Sequence, residues 1–378
     1  MHLVDCTMFY APEGGGVSTY LNAKSRWLAQ HSRMRHTIFS PNISAACESP
    51  VHRSIPALAL PGINGYRLPY SVGGAARRML RLQPDLVEAG DAGPCAWAAL
   101  RVKRRLGIPA VAFYHSDLQR LVHDRFGALA MRATQRYLRQ LYSRFDMVLA
   151  PSRLMVHQLG ELGIENAIHQ PLGIDIDTFA PARRNCALRQ HLHLAPDTRL
   201  LVYAGRFTLE KKLPLLIDAV RRLGPPYHLL LIGAGDSLPR CPHTSTIGFR
   251  RDQRALARLL AGCDVLVHPG DCETFGLIVL EAMACGLPVV GAGAGGVAEL
   301  VTEATGVLVA PNSVQAMCDG IESIYQRDLG RMSQAACHLA RTLYDWNIIM
   351  PQLMNRYAGL LASRERAELE AERICVPE

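Results

Sequence analysis

Two glutamates eight positions apart, Glu273 and Glu281, bracket the stretch around which this 378-residue chain is organised. Residues 264–286 read DVLVHPGDCETFGLIVLEAMACG. The pattern predicts a short apolar strand (Val265–His268), a Pro-Gly-Asp-Cys turn, and a helix opening at about Thr274–Gly276 and ending near Gly286. Glu281 stands among Leu277, Ile278, Leu280 and Met283, so it is expected on a largely buried helix. A carboxylate there has to find a partner or a ligand hydroxyl. The first amides of such a helix attract an anion, and the five residues from Gly276 to Glu281 span roughly 7.5 Å. A ligand with phosphates at that end and hydroxyls on both sides, such as a nucleotide diphosphate sugar, fits this spacing. A capping acid and a satisfied core glutamate fit it equally well.

Other candidates sit where predicted strands end. Arg206 and Lys211 follow the strand Leu200–Ala204 across a turn. Two cations at the carboxyl edge of a parallel sheet suit a diphosphate, the arginine as a fork and the lysine as a point charge. Alone they read as an ordinary charged turn; the glutamate-framed helix in the same domain makes them candidates. The strand Ile108–Tyr114 delivers His115, Ser116 and Asp117 to the edge where open α/β sheets bind ligands. A strand-end histidine bonded to backbone is the alternative. Gly14-Gly15-Gly16 lies between an apolar stretch (residues 2–9) and a helix from Val17 to about Gln30. That glycine turn would let backbone approach a phosphate, or it is a plain strand-to-helix turn.

The elements that hold these residues alternate in two series. The first adds strands His36–Phe39, Asp85–Glu88 and Met147–Ala150, a helix Trp97–Leu106, a basic helix of about Ala128–Ser143, and a helix start at Pro151-Ser152-Arg153. It ends at Pro171-Leu-Gly-Ile-Asp175, and a linker is expected over residues 175–195. The second runs through helix 213–223, strand Leu229–Ile232, a strand ending at Ile247-Gly248-Phe249-Arg250, helix 252–262, and strands Pro288–Gly291 and Val307–Val309. Helices at 314–326, 330–343 and 347–362 close it, with Ser363–Glu372 as a fraying exposed helix. The expected fold is α/β, with two Rossmann-like βαβ domains facing a cleft: residues 1–178, and residues 179–345 with the nucleotide site. The segment 346–378 is expected to pack its helix back on the first domain.

Composition bounds the partners. The formal charge is +8, and residues 1–180 hold 20 Lys/Arg against 13 Asp/Glu. Runs at Arg77-Arg78 with Arg81, Arg101–Arg105, and Arg132, Arg136, Arg139 and Arg144 supply the excess. They read either as solvated helix faces or as a surface for an anionic membrane or acceptor. No binding module points to nucleic acid. Eleven cysteines without a CxxC pair argue for a reducing compartment. Cys263, His268 and Cys272 match no zinc spacing, and Asp175-x-Asp177 sits in the linker without a third ligand, so no metal site is expected. Neither a signal peptide nor an apolar stretch of about 18 residues is seen, and the protein is expected to be cytoplasmic, with the inner membrane face as a peripheral option.

The Gly-Arg-(x)4-Lys turn, Glu273-(x)7-Glu281, the Gly14–Gly16 loop, Ala150-Pro-Ser-Arg153 and Pro171-Leu-Gly-Ile-Asp175 together resemble the retaining glycosyltransferases of family 4, with the GT-B fold, over about residues 10–360. GDP-mannose users are nearest in pattern, and UDP-sugar enzymes share the frame. The resemblance implies that Arg206 and Lys211 hold the donor diphosphate, that Glu281 binds the ribose hydroxyls and that Glu273 binds a hydroxyl of the transferred sugar. It implies further that amides near Phe275, Gly276 and Leu277 meet phosphates or sugar. Gly15 and Gly16 would approach the diphosphate, His115 would contact the donor sugar near the reacting carbon, and backbone at Phe249 and Arg250 would hold the base. His115, Arg206, Lys211 and Glu273 are thereby the catalytic set. No cofactor or metal is implied, the acceptor would be a lipid-linked or envelope polysaccharide, and a monomer is expected. Leu213 departs from the pattern, where members often carry glycine, and the first strand has only about eight residues before the loop. Two alternatives compete. A GT-B epimerase or phosphorylase would share the fold, and Gly291-x-Gly293-x-x-Gly296 formally matches a dinucleotide loop of an oxidoreductase.

Overall fold

The computed structural model describes residues 1–10, 14–59, 67–183 and 187–374. Ala11–Glu13 of the glycine loop, Cys186 of the linker and Cys375 lie outside the described residues. The chain divides into two compact units, Met1–Pro171 with Asn347–Glu378, and Leu172–Trp346.

The first unit runs β1 (His2–Cys6), α1 (Gly16–His31), β2 (Arg35–Ser40), β3 (His52–Ser54), β4 (Ala57–Ala59), β5 (Arg67–Pro69), α2 (Val72–Leu80), β6 (Leu86–Ala89), α3 (Pro94–Leu106), β7 (Ala110–Phe113), α4 (Leu118–Tyr142), β8 (Met147–Ala150), α5 (Arg153–Glu161) and β9 (Ala167–His169). Seven strands form a parallel sheet in the order β3-β2-β1-β6-β7-β8-β9. β6, β7 and β8 are buried along their whole length, as central strands covered on both faces are, with Glu88 the charged residue among them. β4 and β5 pair separately as an antiparallel ribbon.

The second unit runs α6 (Leu188–His191), β10 (Arg199–Ala204), α7 (Leu213–Leu223), β11 (Tyr227–Ile232), β12 (Thr244–Ile247), α8 (Gln253–Ala261), β13 (Val265–His268), α9 (Leu277–Ala284), β14 (Val289–Ala292), α10 (Val297–Leu300), β15 (Gly306–Val309), α11 (Val314–Tyr325) and α12 (Leu329–Leu343). Its six strands are all parallel in the order β12-β11-β10-β13-β14-β15. Ile174 and Asp345 pair where the chain enters and leaves this unit. The last helix, α13 (Trp346–Ile374), belongs to the first unit from Asn347 onward.

Most anticipated elements are present within a few residues, and β13 spans the predicted Val265–His268. The basic helix α4 starts ten residues earlier than expected, and Gly127 (φ 79°, ψ −176°) breaks it beside the expected start. Ser363–Glu372 is no separate fraying helix, because α13 continues unbroken through it.

A buried ionic cluster ties the first unit together. Lys24 on α1 is 0 % exposed, and its Nζ donates to Asp5 on β1 (3.0 Å) and to Glu88 on β6 (2.9 Å). Tyr20 donates to Glu88 Oε1 at 3.0 Å, Tyr357 on α13 donates to Glu88 Oε2, and His36 meets Asp5. Burial pushes the Glu88 carboxyl up to about 7 against the pull of Lys24. Asp5 is held well below the usual range, because Lys24 and His36 outweigh its burial.

Candidate active site

In the second unit the chain moves outward in one direction from β10 and in the other from β13. That reversal opens a crevice beyond their carboxyl ends, the place where open α/β sheets receive ligands. Arg206 and Lys211 leave β10 there, and Glu273 leaves β13. Lys211 Nζ is ion-paired with Glu273 Oε1, and His268 Nε2 stands 3.2 Å from the same oxygen. Burial alone would raise the Glu273 carboxyl, but Lys211 and His268 hold it far below the ordinary range, so it is ionised. Arg206 is exposed and makes no ion pair among the described residues, while Tyr203 Oη fixes its carbonyl at 3.1 Å. Lys212 turns the other way, in a left-handed conformation (φ 52°), and binds Asp271 at 2.7 Å and Asn312. Of the two lysines, only Lys211 faces the acid.

Glu281 lies one turn into α9, buried to 9 % exposure, and its carboxyl makes no hydrogen bond or ion pair among the described residues. Burial pushes its carboxyl up to about 8. A satisfied core glutamate is therefore not what the helix carries. Gly276 caps the helix with φ 101°, a conformation that L side chains rarely adopt. The first amides of α9 have no intrahelical acceptor, so Gly276 and Leu277 present backbone donors beside Glu273. The Phe275 side chain is buried with its ring edge toward Tyr344, leaving only its main chain for a ligand. Phe249 and Arg250 are exposed beyond the carboxyl end of β12, on the same sheet edge two strands from β10.

Gly295 and Gly296, at the end of the 291–296 glycine run, serve this acidic loop. Gly296 N donates to Glu273 O at 2.7 Å, and a Cβ on Gly296 would lie 2.6 Å from Phe275 Cα. The following helix, α10, has four residues. A close-packed brace for residues 273–275 is a different object from a phosphate loop opening a long helix, and the dinucleotide reading loses its motif. Asp175 is spent on its own turn, accepting from Asp177 N (3.1 Å), Thr178 N (2.9 Å) and Thr178 Oγ1 (2.9 Å).

The remaining predicted residues lie in the first unit, again at a sheet's carboxyl edge. The strand order reverses between β1 and β6. Gly15 is the N-cap of α1 with φ 116°, and Gly16 is its first residue. His115 follows β7, with its ring stacked on Phe113 (4.2 Å, 8°) and tilted against Tyr20 (5.4 Å). Burial, with Lys24 nearby, lowers the imidazole to about 3, so it is neutral at physiological pH. A neutral ring offers hydrogen bonds rather than a proton. Sequence reasoning weighed His268 only as a metal ligand and missed its contact with Glu273. Its place as the last residue of a buried strand, five residues before the acid, was the available signal.

A family model described as glycosyl transferases group 1 matches residues 187–336, and one described as glycosyltransferase family 4 matches residues 14–178. A GDP-mannose-dependent alpha-(1-6)-phosphatidylinositol dimannoside mannosyltransferase of Mycobacterium tuberculosis is 32% identical over 349 residues, covering 86% of this chain and 88% of that protein. The chain belongs to glycosyltransferase family 4. A GDP-mannose-dependent alpha-mannosyltransferase of Mycolicibacterium smegmatis is 32% identical over 288 residues, 74% of this chain and 75% of its own. In fold, this family 4 enzyme matches the sucrose-phosphate synthase of Thermosynechococcus elongatus with a TM-score of 0.79 at 21% identity, over 96% of this chain and 100% of the other. The Anabaena protein HepE, solved with UDP and glucose, matches with a TM-score of 0.75 at 20% identity, over 95% and 100%. The two-domain GT-B glycosyltransferase fold expected from the motifs is the fold of this enzyme.

Proposed function

We propose that this glycosyltransferase moves a hexose, mannose first and glucose second, from a nucleotide diphosphate sugar to a lipid-linked or envelope glycan acceptor. Configuration is retained and no metal is required. The observation that carries the donor reading is Glu281, a buried carboxyl left unpartnered among the described residues on the helix that follows the Lys211–Glu273 pair in the chain. Ribose hydroxyls would supply its missing donors. The relatives' dependence on GDP-mannose favours that donor over UDP-glucose.

The chemistry follows from charge. The bond between the anomeric carbon and the diphosphate oxygen breaks, placing positive charge on the sugar ring and negative charge on the leaving group. Arg206, Lys211 and the first amides of α9 stabilise that developing charge without reorganising, which is the task a metal would otherwise perform. Glu273, already held by Lys211 and His268, accepts a sugar hydroxyl. His115 hydrogen-bonds the sugar as a neutral ring, and Gly15 and Gly16 admit the diphosphate. Main-chain groups at Phe249 and Arg250 hold the base. The acceptor hydroxyl bonds to the anomeric carbon as its proton passes to the departing phosphate.

A thermal-shift screen against GDP- and UDP-sugars tests the donor assignment. GDP-mannose should stabilise the wild-type chain most, and Glu281→Ala should lose most of that stabilisation. Undiminished stabilisation of the variant would make the ribose assignment wrong.

A further inference from the structure

The first unit holds a second cationic site at the opposite end of its sheet from His115. A cavity of about 970 Å³ opens beside Ile108 and Pro109, which precede β7, and Asp146, which precedes β8. It is lined by basic residues from three parts of the chain: Arg101, Lys103 and Arg104 of α3, Arg144 just after α4, and Arg364 of α13. The floor is apolar, formed by Trp97, Leu100, Ile108 and Leu360. Ile108 and His115 lie beyond opposite ends of β7 (Ala110–Phe113), so this is not the catalytic edge.

Charge in the cavity is unbalanced. Asp146 is the one acid among the described lining residues, and it is already committed. One oxygen takes Lys103 Nζ at 2.8 Å and the other takes Ala110 N at 2.8 Å. Arg101, Arg104 and Arg144 have no carboxylate partner among the described residues. Arg144 lies over the Trp97 ring, 5.6 Å from its centroid, with Nε bonded to Gln140 O. Basic residues in the last turn of α3 complement its dipole, which accounts for Lys103 and Arg104 singly. It does not account for cations arriving from three separate parts of the chain around a hollow of ligand size.

We propose that this cavity binds a phosphate ester carrying an apolar or ring portion, with the Arg101, Arg104 and Arg144 guanidinium groups on the phosphate and the Trp97–Leu100 floor under the remainder. Guanidinium forks match phosphate oxygens in pairs. The ligand would be either the head group of an anionic lipid or a soluble phosphate ester. The inference stands independently of the donor and of the acceptor.

Inorganic pyrophosphate, titrated into the full chain by calorimetry, tests the site. Two binding phases are expected, one abolished by saturating GDP and one indifferent to it. The Arg104→Gln/Arg144→Gln variant, altered only at exposed side chains, should weaken the GDP-indifferent phase at least about tenfold, as loss of two charge-assisted contacts implies. Its GDP-sensitive phase should stay intact, which also shows that the variant is folded. Vesicles of phosphatidylglycerol and of phosphatidylcholine then distinguish the sources. Loss of phosphatidylglycerol binding in the variant assigns a lipid head group, and unchanged vesicle binding assigns a soluble ester. A GDP-indifferent phase that is absent, or equally strong in the variant, would overturn the proposal.

Discussion

Glu281 makes the most specific statement at the scale of single residues. Its carboxyl is raised to about 8 by burial alone, so the unliganded protein carries it protonated at neutral pH. Ligand hydroxyls donating to it favour the carboxylate and lower that value. Donor binding near pH 7 should therefore release a proton, and affinity should rise as pH climbs toward 8. Calorimetry in two buffers of different ionisation enthalpy measures the release, which Glu281→Gln should abolish. The same shift sets the stability of the free protein. A raised native value means the folded state binds a proton that the unfolded chain gives up. The group's cost is thus absent below about 4.5 and grows up to pH 8, by about 1.4 kcal/mol per unit of pKa difference. Glu281→Gln should raise the melting temperature at pH 8 and leave it nearly unchanged at pH 4. Glu273 works in the opposite sense. Its depressed value contributes stability at neutral pH that is lost as pH falls below the ordinary carboxylate range. Lys211→Met should leave Glu273 facing His268 alone and slow turnover by about 10²–10³-fold, the usual cost of one group aimed at developing charge.

At the scale of elements, the sequence made β13 and α9 legible because a pure apolar strand, a Pro-Gly turn and a helical apolar run carry strong local signals. The pairing of Lys211 with Glu273 was not legible. It depends on β10 and β13 being neighbours, and sixty-two residues separate the two side chains. β3, β4 and β5 escaped notice because three-residue strands carry no alternation to read. α2 escaped because Gly73 and Gly74 depress helix propensity; Ser71 capping Gly74 N at 3.1 Å and packing on α3 restore it. Lys24 on α1 plants a cation between Asp5 and Glu88, and nothing in its local sequence distinguishes it from a surface lysine. Lys24→Met would leave two buried acids facing each other with only the His36 ring, beside Asp5, to compensate them, and should destabilise the protein by about 3–5 kcal/mol. Tyr357→Phe removes one donor to Glu88 and should cost about 1–3 kcal/mol. Chemical denaturation reads both, and a cost near zero for Lys24→Met would mean that the cluster does not tie α1 to the sheet.

At the scale of the whole molecule, charge is segregated, and α4 shows how. Leu138, Leu141 and Tyr142 are buried, while Arg132, Arg136 and Arg139 stand exposed on the same helix. That arrangement leaves a basic face in solvent, as on an ordinary surface helix, and among the described residues no helix is long and apolar enough to cross a membrane. Co-sedimentation with anionic vesicles should occur at low salt and weaken at high salt; no binding at low salt would remove the membrane from the account. If Arg206 and Lys211 carry the charge of the leaving group, as proposed, turnover should likewise survive a chelator. The central claim is narrower than either, that the second unit's crevice activates a hexose nucleotide for transfer. Following labelled mannose from GDP-mannose into the lipid-extractable and polymeric fractions of a cell envelope preparation tests it most directly. Label should enter one of them with the wild-type enzyme and fall by at least about a hundredfold with Lys211→Met. Equal incorporation by the variant, or none from any GDP- or UDP-hexose, would contradict the account.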